Sequence, residues 1–274
     1  MPASMSKDRV ILVTGSTDGL GKRVAEKLAA PGVHLLVHGR DAVHGKAVVA
    51  SIEGAGGSAG FLEADFASLA GVRCLAKAVL AEHAQLDVLV NNAGIAKVRG
   101  PRRESAQGLE LHFAVNYLAP FLLTRLLRPL LGAEAPSRVV NVVSAAQNPI
   151  DFGDVMLEHS YNGYRAYGQS KLAEVMLTFD LAEAFAGADV SANCLHPASY
   201  MDTAPVREAG IRPGNSVDIG ADAVMALVAG HAPAGITGRY FDGRREARAN
   251  SQAYDREARR RLRSISLDLA GSDR

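Results

Sequence analysis

The sequence predicts an α/β fold: a doubly wound parallel sheet of about seven strands with helices on both faces, in three αβα layers. Short β-branched runs alternate along the whole chain with longer stretches of helical period, which is the signature of crossover-connected parallel strands. The runs are also apolar almost throughout rather than at every second residue, as strands buried on both faces require. A glycine-rich turn, Thr14 to Gly21, falls directly between the first run and the first helical stretch.

The expected strands are Val10–Val13, Leu35–Val37, Phe61–Leu62, Val88–Val90, Val139–Val143, Val190–Leu195 and a last run near Arg239–Phe241. Between them, Gly19–Ala30, Ala42–Ile52, Ser68–Ala84, Ser105–Leu131 and Arg165–Phe185 are long enough to be crossover helices. Gly54–Gly60 reads as a loop between a helix and the next strand. The segment at about 198–217, with Pro205 and Pro213 among its breakers, is the candidate for a mobile flap. Near the C-terminus, Ala258, Leu262, Ile265 and Leu269 form a helical stripe, so a helix over about 253–270 is expected to dock on the body with its arginines outward. No linker or fixed-period repeat divides the chain, and residues 1–274 are expected to form one domain.

Composition narrows the function. With 48% hydrophobic and 22% charged residues the chain is a globular protein with a sizeable core, not a disordered one. Its 30 Lys and Arg against 29 Asp and Glu leave a net charge of +1, so no molecule-wide field holds nucleic acid. The arginine-rich run Arg244–Arg263 is locally basic, but its apolar stripe favours a docked helix over a nucleic-acid surface. Cys74 and Cys194 form neither a zinc spacing nor a disulfide framework, and His34 and His38 lack a third ligand, so no metal is expected. Met1–Arg9 lacks a signal-peptide apolar stretch, and the most apolar segment, Phe121–Leu131, is cut by Arg125 and Arg128. A cytoplasmic protein without a membrane span is the expectation.

The loop Thr14-Gly15-Ser16-Thr17-Asp18-Gly19-Leu20-Gly21 runs straight into a helix. Glycines there let backbone approach a pyrophosphate, whose charge sits at the positive end of the helix. The spacing Gly-x3-Gly-x-Gly resembles that of the short-chain dehydrogenase/reductase family, whose fold is a compact Rossmann sheet. The resemblance spans about Arg9 to Leu269 and implies a dinucleotide-dependent oxidoreductase. The second strand ends in His38-Gly39-Arg40, with no acid for a ribose 2′-hydroxyl. Arg40 favours a 2′-phosphate, which places NADP(H) ahead of NAD(H). Asp18 departs from the basic residue that many NADP-dependent relatives carry before the middle glycine.

Further segments fit the same resemblance. Asp65 with Phe66 corresponds to the family's adenine contact, and Asn91-Asn92-Ala93-Gly94 matches its Asn-Asn-Ala-Gly signature. Tyr167 and Lys171 lie one helical turn apart, so an ammonium can stabilise the ionised phenol. Tyr161 and Tyr164 lack a lysine at that spacing. Ser144 closes the fifth strand, and in the family this serine hydrogen-bonds the substrate carbonyl. Pro120 has no N–H for the carbonyl of Asn116, so a helix kink is expected at the residue that in the family anchors a proton-relay water. The resemblance thus implies Ser144, Tyr167, Lys171 and Asn116 as catalytic residues. It implies cofactor contacts from Gly15, Ser16, Thr17, Gly19, Leu20, Gly21, Arg40, Asp65, Phe66, Asn92, Ala93, Gly94, Tyr167, Lys171 and Pro197, and from either Asp202 or Thr203.

The 23-residue interval from Ser144 to Tyr167 looks like that of the retinol-dehydrogenase-like branch. Phe152, Met156 and Tyr161 within it, with Tyr200 beyond, suggest an apolar or aromatic carbonyl or alcohol substrate. In relatives the two long helices make a four-helix interface, which implies a homodimer or homotetramer. Two other functions compete: a silent NADP-binding sensor or assembly module on the same fold, and a methyltransferase. Neither gives a use to all four implied catalytic residues.

Overall fold

In the computed structural model, which describes residues 8–134, 136–228 and 236–271, seven parallel strands form one sheet. Residues 1–7, read above for a leader, lie outside the described residues. The strands are β1 (Arg9–Val13), β2 (Val33–Gly39), β3 (Ser58–Glu63), β4 (Val88–Asn91), β5 (Ser137–Val142), β6 (Val190–His196) and β7 (Arg239–Asp242). An eighth, β8 (Arg245–Ala247), was not expected; it folds back antiparallel on β7 through a turn at Gly243. The order is β3-β2-β1-β4-β5-β6-β7-β8. It reverses direction at β1, whose neighbours are β2 and β4, and the crevice beyond the ends of β1 and β4 is where such sheets receive ligands.

The continuous apolar runs have the cause inferred for them, since both sheet faces are covered. Leu12, Leu36, Leu89 and Val139 pack into one layer, and Ile11, Val13, Leu35, Val88 and Val140 into the other. Each fully buried leucine contributes roughly 2 kcal/mol by leaving water. The first layer holds α3 (Leu69–Glu82), α4 (Ala119–Leu126) and α5 (Gly163–Ala184). The second holds α1 (Gly19–Leu28), α2 (Ala42–Gly54) and, beyond the short α6 (Ala204–Glu208), α7 (Val217–Val228). Side chains of Asp18, Asp41 and Asn162 cap α1, α2 and α5.

One expected helix is corrected. Ser105–Leu131 is not a single helix, because Ser105 Oγ accepts from the amides of Gln107 and Leu109 and Gly108 turns with φ +74°, closing a local turn instead. Helical structure begins only after the Glu104–Glu110 bridge. The irregularity expected at Asn116 takes the form of a π-helical stretch, Phe113–Leu118, in which the Ala119 amide reaches back to Ala114.

The C-terminal helix, α8 (Arg256–Ala270), docks on the α5 face, with Ala258, Leu262 and Ala270 in the core and Ser266 hydrogen-bonded to Tyr117 at 2.7 Å. Its arginines do not all point outward. Arg259 is buried, bonded to Asp180 and Glu183 of α5. The face that the resemblance assigns to a partner subunit is therefore partly covered by this chain's own helix. Among the described residues no helix is long and apolar enough to cross a membrane.

Candidate active site

The glycine loop is shaped by what surrounds it. Gly15 has φ +62°, and a Cβ there would stand 2.8 Å from Ala93 Cα. At Gly21 a Cβ would lie 2.2 Å from the Gly15 carbonyl oxygen and 2.4 Å from Asn92 Nδ2. The loop is thus pressed against the residues after β4. Asn92 Nδ2 donates to the carbonyls of Thr14 and Gly15 at 2.9 and 3.1 Å, and the amides of Asn92 and Ala93 both donate to Thr14 Oγ1. Asp18 accepts from the Gly19 amide at 2.7 Å, so the residue that departs from the family pattern serves as the helix cap.

Not every expected contact residue faces outward. Ser16 is fully buried; its hydroxyl donates to the Val13 carbonyl and accepts from the His38 amide, while its own amide donates to His38. Phe66 is also buried, stacked on His38 at 4.4 Å. Arg40, by contrast, is exposed at the tip of β2 with Asp65 4.0 Å from its guanidinium. Thr17 packs on Gly39 beside it, where any Cβ would come within 2.4 Å of the Thr17 methyl.

The four implied catalytic residues gather at the carboxyl edge of β4 and β5. Lys171 is buried in α5, and its Nζ donates to the Val142 carbonyl at 2.8 Å, two residues before Ser144. Ser144 lies two residues past the end of β5, its Oγ accepting from the Ala146 amide at 3.1 Å. Asn116 clamps Ile95 from both sides, accepting from its amide at 2.8 Å and donating to its carbonyl at 3.0 Å, and donates also to Ser170 Oγ at 2.9 Å. A Cβ on Gly94 would lie 3.3 Å from Asn116 Oδ1 and 3.5 Å from Lys171 Nζ, so the loop after β4, the π-helical stretch and α5 converge there. Tyr167, half-buried, sits one turn before Lys171. The Asn91 side chain plays a different part, tying β4 to Asn141 and Thr124 inside the sheet.

Three titratable residues escaped sequence reasoning. Glu174 is buried with Oε2 2.8 Å from Lys171 Nζ. Burial pushes its carboxyl up to about 7 while Lys171 pulls the other way. Burial alone would lower Lys171, but Glu174 and Tyr167 outweigh it and hold the ammonium above its ordinary range. His112 and Glu110 form a second buried pair at 2.8 Å, with the His112 ring edge-on to Tyr167 at 6.3 Å. Glu174 was visible in principle, three residues from Lys171 on one helical face.

The segment after β6 closes on itself. Met201 bridges Asn215, Asn215 Nδ2 donates to the Ser199 carbonyl at 2.6 Å, and Tyr200 sits at φ +49° within the turn. Pro197 lies against Gly220 of α7. Of the two alternatives, Thr203 is over the glycine loop, its methyl 3.5 Å from the Cβ position of Gly19, whereas Asp202 pairs with Arg207 at 2.5 Å. In the insert before Tyr167, Phe152 lies under Arg261 of α8, 4.8 Å from guanidinium to ring, and its carbonyl accepts from the same guanidinium.

The comparisons agree with this architecture. The family model for short chain dehydrogenase matches residues 9–211, and the chain belongs to that family of oxidoreductases. Mouse polyprenol dehydrogenase is 39% identical over 285 residues, covering 96% of this chain and 84% of its own. Human retinol dehydrogenase 13 is 34% identical over 283 residues, covering 96% and 85%, which sets this chain beside the retinol-dehydrogenase-like branch. Among solved structures, an uncharacterised protein from Mycobacterium paratuberculosis aligns with TM-score 0.75 at 27% identity over 96% of this chain and 93% of its own. The Pseudomonas aeruginosa RhlG/NADP active-site complex aligns with TM-score 0.68 at 29% identity over 85% and 94%.

Proposed function

We propose that this chain is an NADP(H)-dependent alcohol dehydrogenase or carbonyl reductase, with Ser144, Tyr167, Lys171 and Asn116 as its working constellation. The observation that carries the reading is the convergence on Lys171. Its Nζ is bonded two residues from Ser144 and lies beside Gly94 and Asn116, with Tyr167 one turn away. The pressed glycine loop at the start of α1 suits a pyrophosphate. Exposed Arg40, just past the end of β2, suits a 2′-phosphate, and three of the similar solved structures are NADP complexes.

Bound nicotinamide supplies or accepts the hydride. Tyr167 gives a proton to the carbonyl oxygen during reduction and takes one from the alcohol during oxidation. Lys171 sets the field at the tyrosine oxygen, Ser144 donates a hydrogen bond to the substrate oxygen, and Asn116 fixes the loop after β4 and the turn beside Lys171. The relatives' names make retinol and a polyprenol the first alcohols to try.

The test is NADPH absorbance against a panel of apolar alcohols and carbonyls. Tyr167→Phe is expected to lower kcat by on the order of 10²–10⁴ while leaving NADPH affinity intact. Tight NADPH binding with no turnover across the panel would instead point to the sensor reading.

A further inference from the structure

Lys171 does not meet Tyr167 with all of its charge free. Two of its three N–H donors are committed, one to the Val142 carbonyl and one to Glu174, both at 2.8 Å. Glu174 is as deeply buried as the lysine and has no solvent to screen it. With the carboxyl ionised the pair is neutral; with it protonated the pair carries a full positive charge one helical turn from Tyr167. A charge change of that kind in a low-dielectric interior acts strongly on a neighbouring acid.

We propose that Glu174 is a positioning residue for the proton-donor site: held on the Lys171 ammonium, it decides by its own charge how much of that ammonium's field reaches the Tyr167 hydroxyl. The inference rests on the reading of Tyr167 and Lys171 given above.

The surroundings leave few other groups to do this. Lys171 faces Glu174 from its own helix, with Tyr167 acting on the far side of Lys171, and Cys194 faces it from β6 as a thiol that burial keeps protonated. The polar chain behind it is uncharged: Asn91 donates to Asn141, Asn141 to Thr178 Oγ1, and Thr178 Oγ1 to the Glu174 carbonyl. Asn116 stands beside Lys171 Nζ, and the Glu110–His112 pair faces the Tyr167 ring. The raised Glu174 carboxyl, near neutrality, places its change of charge where the enzyme works.

The sign follows. Glu174→Gln leaves the lysine charge uncompensated at every pH, which favours the ionised tyrosine. The pH midpoint is therefore expected to move down by on the order of one unit in both directions of reaction. Oxidation turns on at lower pH, and reduction turns off at lower pH. Glu174→Asp, which keeps a carboxyl, is expected to restore most of the shift. A role confined to packing would lower kcat in Glu174→Gln without moving either midpoint, and that result overturns the proposal.

A second measurement needs no cofactor, and uses Glu174→Gln only to tell the Glu174 band from that of Glu110, the other glutamate buried among the described residues. Infrared difference spectra of the wild-type apoprotein, with glutamate carboxyls isotopically labelled, should show a buried protonated carboxyl that titrates between about pH 5 and 9. Its absence overturns the proposal as well. If the carboxyl titrates but no substrate is turned over, it is the assignment of function that fails and not the Glu174–Lys171 coupling.

Discussion

The amide of Gly15 donates to His38 Nδ1 at 3.1 Å, and the other ring nitrogen, 3.2 Å from the Ala64 carbonyl, must then carry the proton. A buried, neutral imidazole thus pins the dinucleotide loop to β2 and to the end of β3. Burial lowers its pKa from 6.5 to about 4. Between those values the unfolded chain binds a proton that the folded chain refuses, so stability falls as pH falls through the window. The total is about 3 kcal/mol. Urea unfolding at several pH values is expected to show that slope, and His38→Gln to flatten it while lowering stability at neutral pH. Equal slopes in the two proteins would mean that other groups set the acid limb.

Among the described residues Arg40 makes a solvated contact with Asp65, at 4.0 Å, and such pairs hold by less than about 1 kcal/mol. The guanidinium is therefore free to turn to a 2′-phosphate. Arg40→Gln is expected to lower kcat/KM for NADPH by about tenfold or more, the scale of one charge-assisted hydrogen bond, with little change for NADH. Steady-state kinetics with both dinucleotides decide it; an unchanged ratio removes Arg40 from the cofactor site.

What the sequence made legible follows from how local each cause is. The strands could be read because both sheet faces are buried, which writes the burial into consecutive residues such as Val10–Val13. The distortion at Asn116 could be read because Pro120 lies four residues away. The turn at Ser105–Leu109 was missed because hydroxyl-to-amide bonds competed with a helical pattern that continued past it. Arg259 and His38 were missed for another reason. Their partners, Asp180 and Glu183 for one and Gly15 and Ala64 for the other, come from distant segments that only the folded chain brings near. A cluster of arginines does not announce which member turns inward.

Gly21 offers a steric test of the cradle. An alanine Cβ there would meet the Gly15 carbonyl oxygen at 2.2 Å, and that obstacle is backbone, with no rotamer to yield. The loop must move off Asn92 to admit it. Gly21→Ala is expected to cost about 1–3 kcal/mol of stability and to weaken NADPH binding by more than about tenfold, measured by fluorescence titration. An alanine variant that bound NADPH normally would show that the loop's close approach to Asn92 is not what shapes the site.

Arg259 tests the docking of α8. Its two terminal nitrogens donate to Asp180 at 2.9 Å and Glu183 at 2.7 Å, and the side chain is only 6% exposed. The two carboxyls respond oppositely: burial lifts Asp180 despite the arginine, whereas the more exposed Glu183 is pulled down by its hydrogen bond to Arg259. Removing the guanidinium leaves Asp180 in a half-buried place beside another acid, without its hydrogen-bonded partner and with Arg263 as the remaining cation acting on it. Arg259→Ala is accordingly expected to cost about 3 kcal/mol in urea unfolding. Arg260→Ala, at a side chain 70% exposed and paired with Glu257 on its own helix, is expected to change stability by less than about 0.5 kcal/mol. Adding Asp180→Asn to Arg259→Ala should recover part of the loss, because it removes the stranded charge. Equal effects of the two arginine substitutions would mean that α8 is held by its apolar stripe alone.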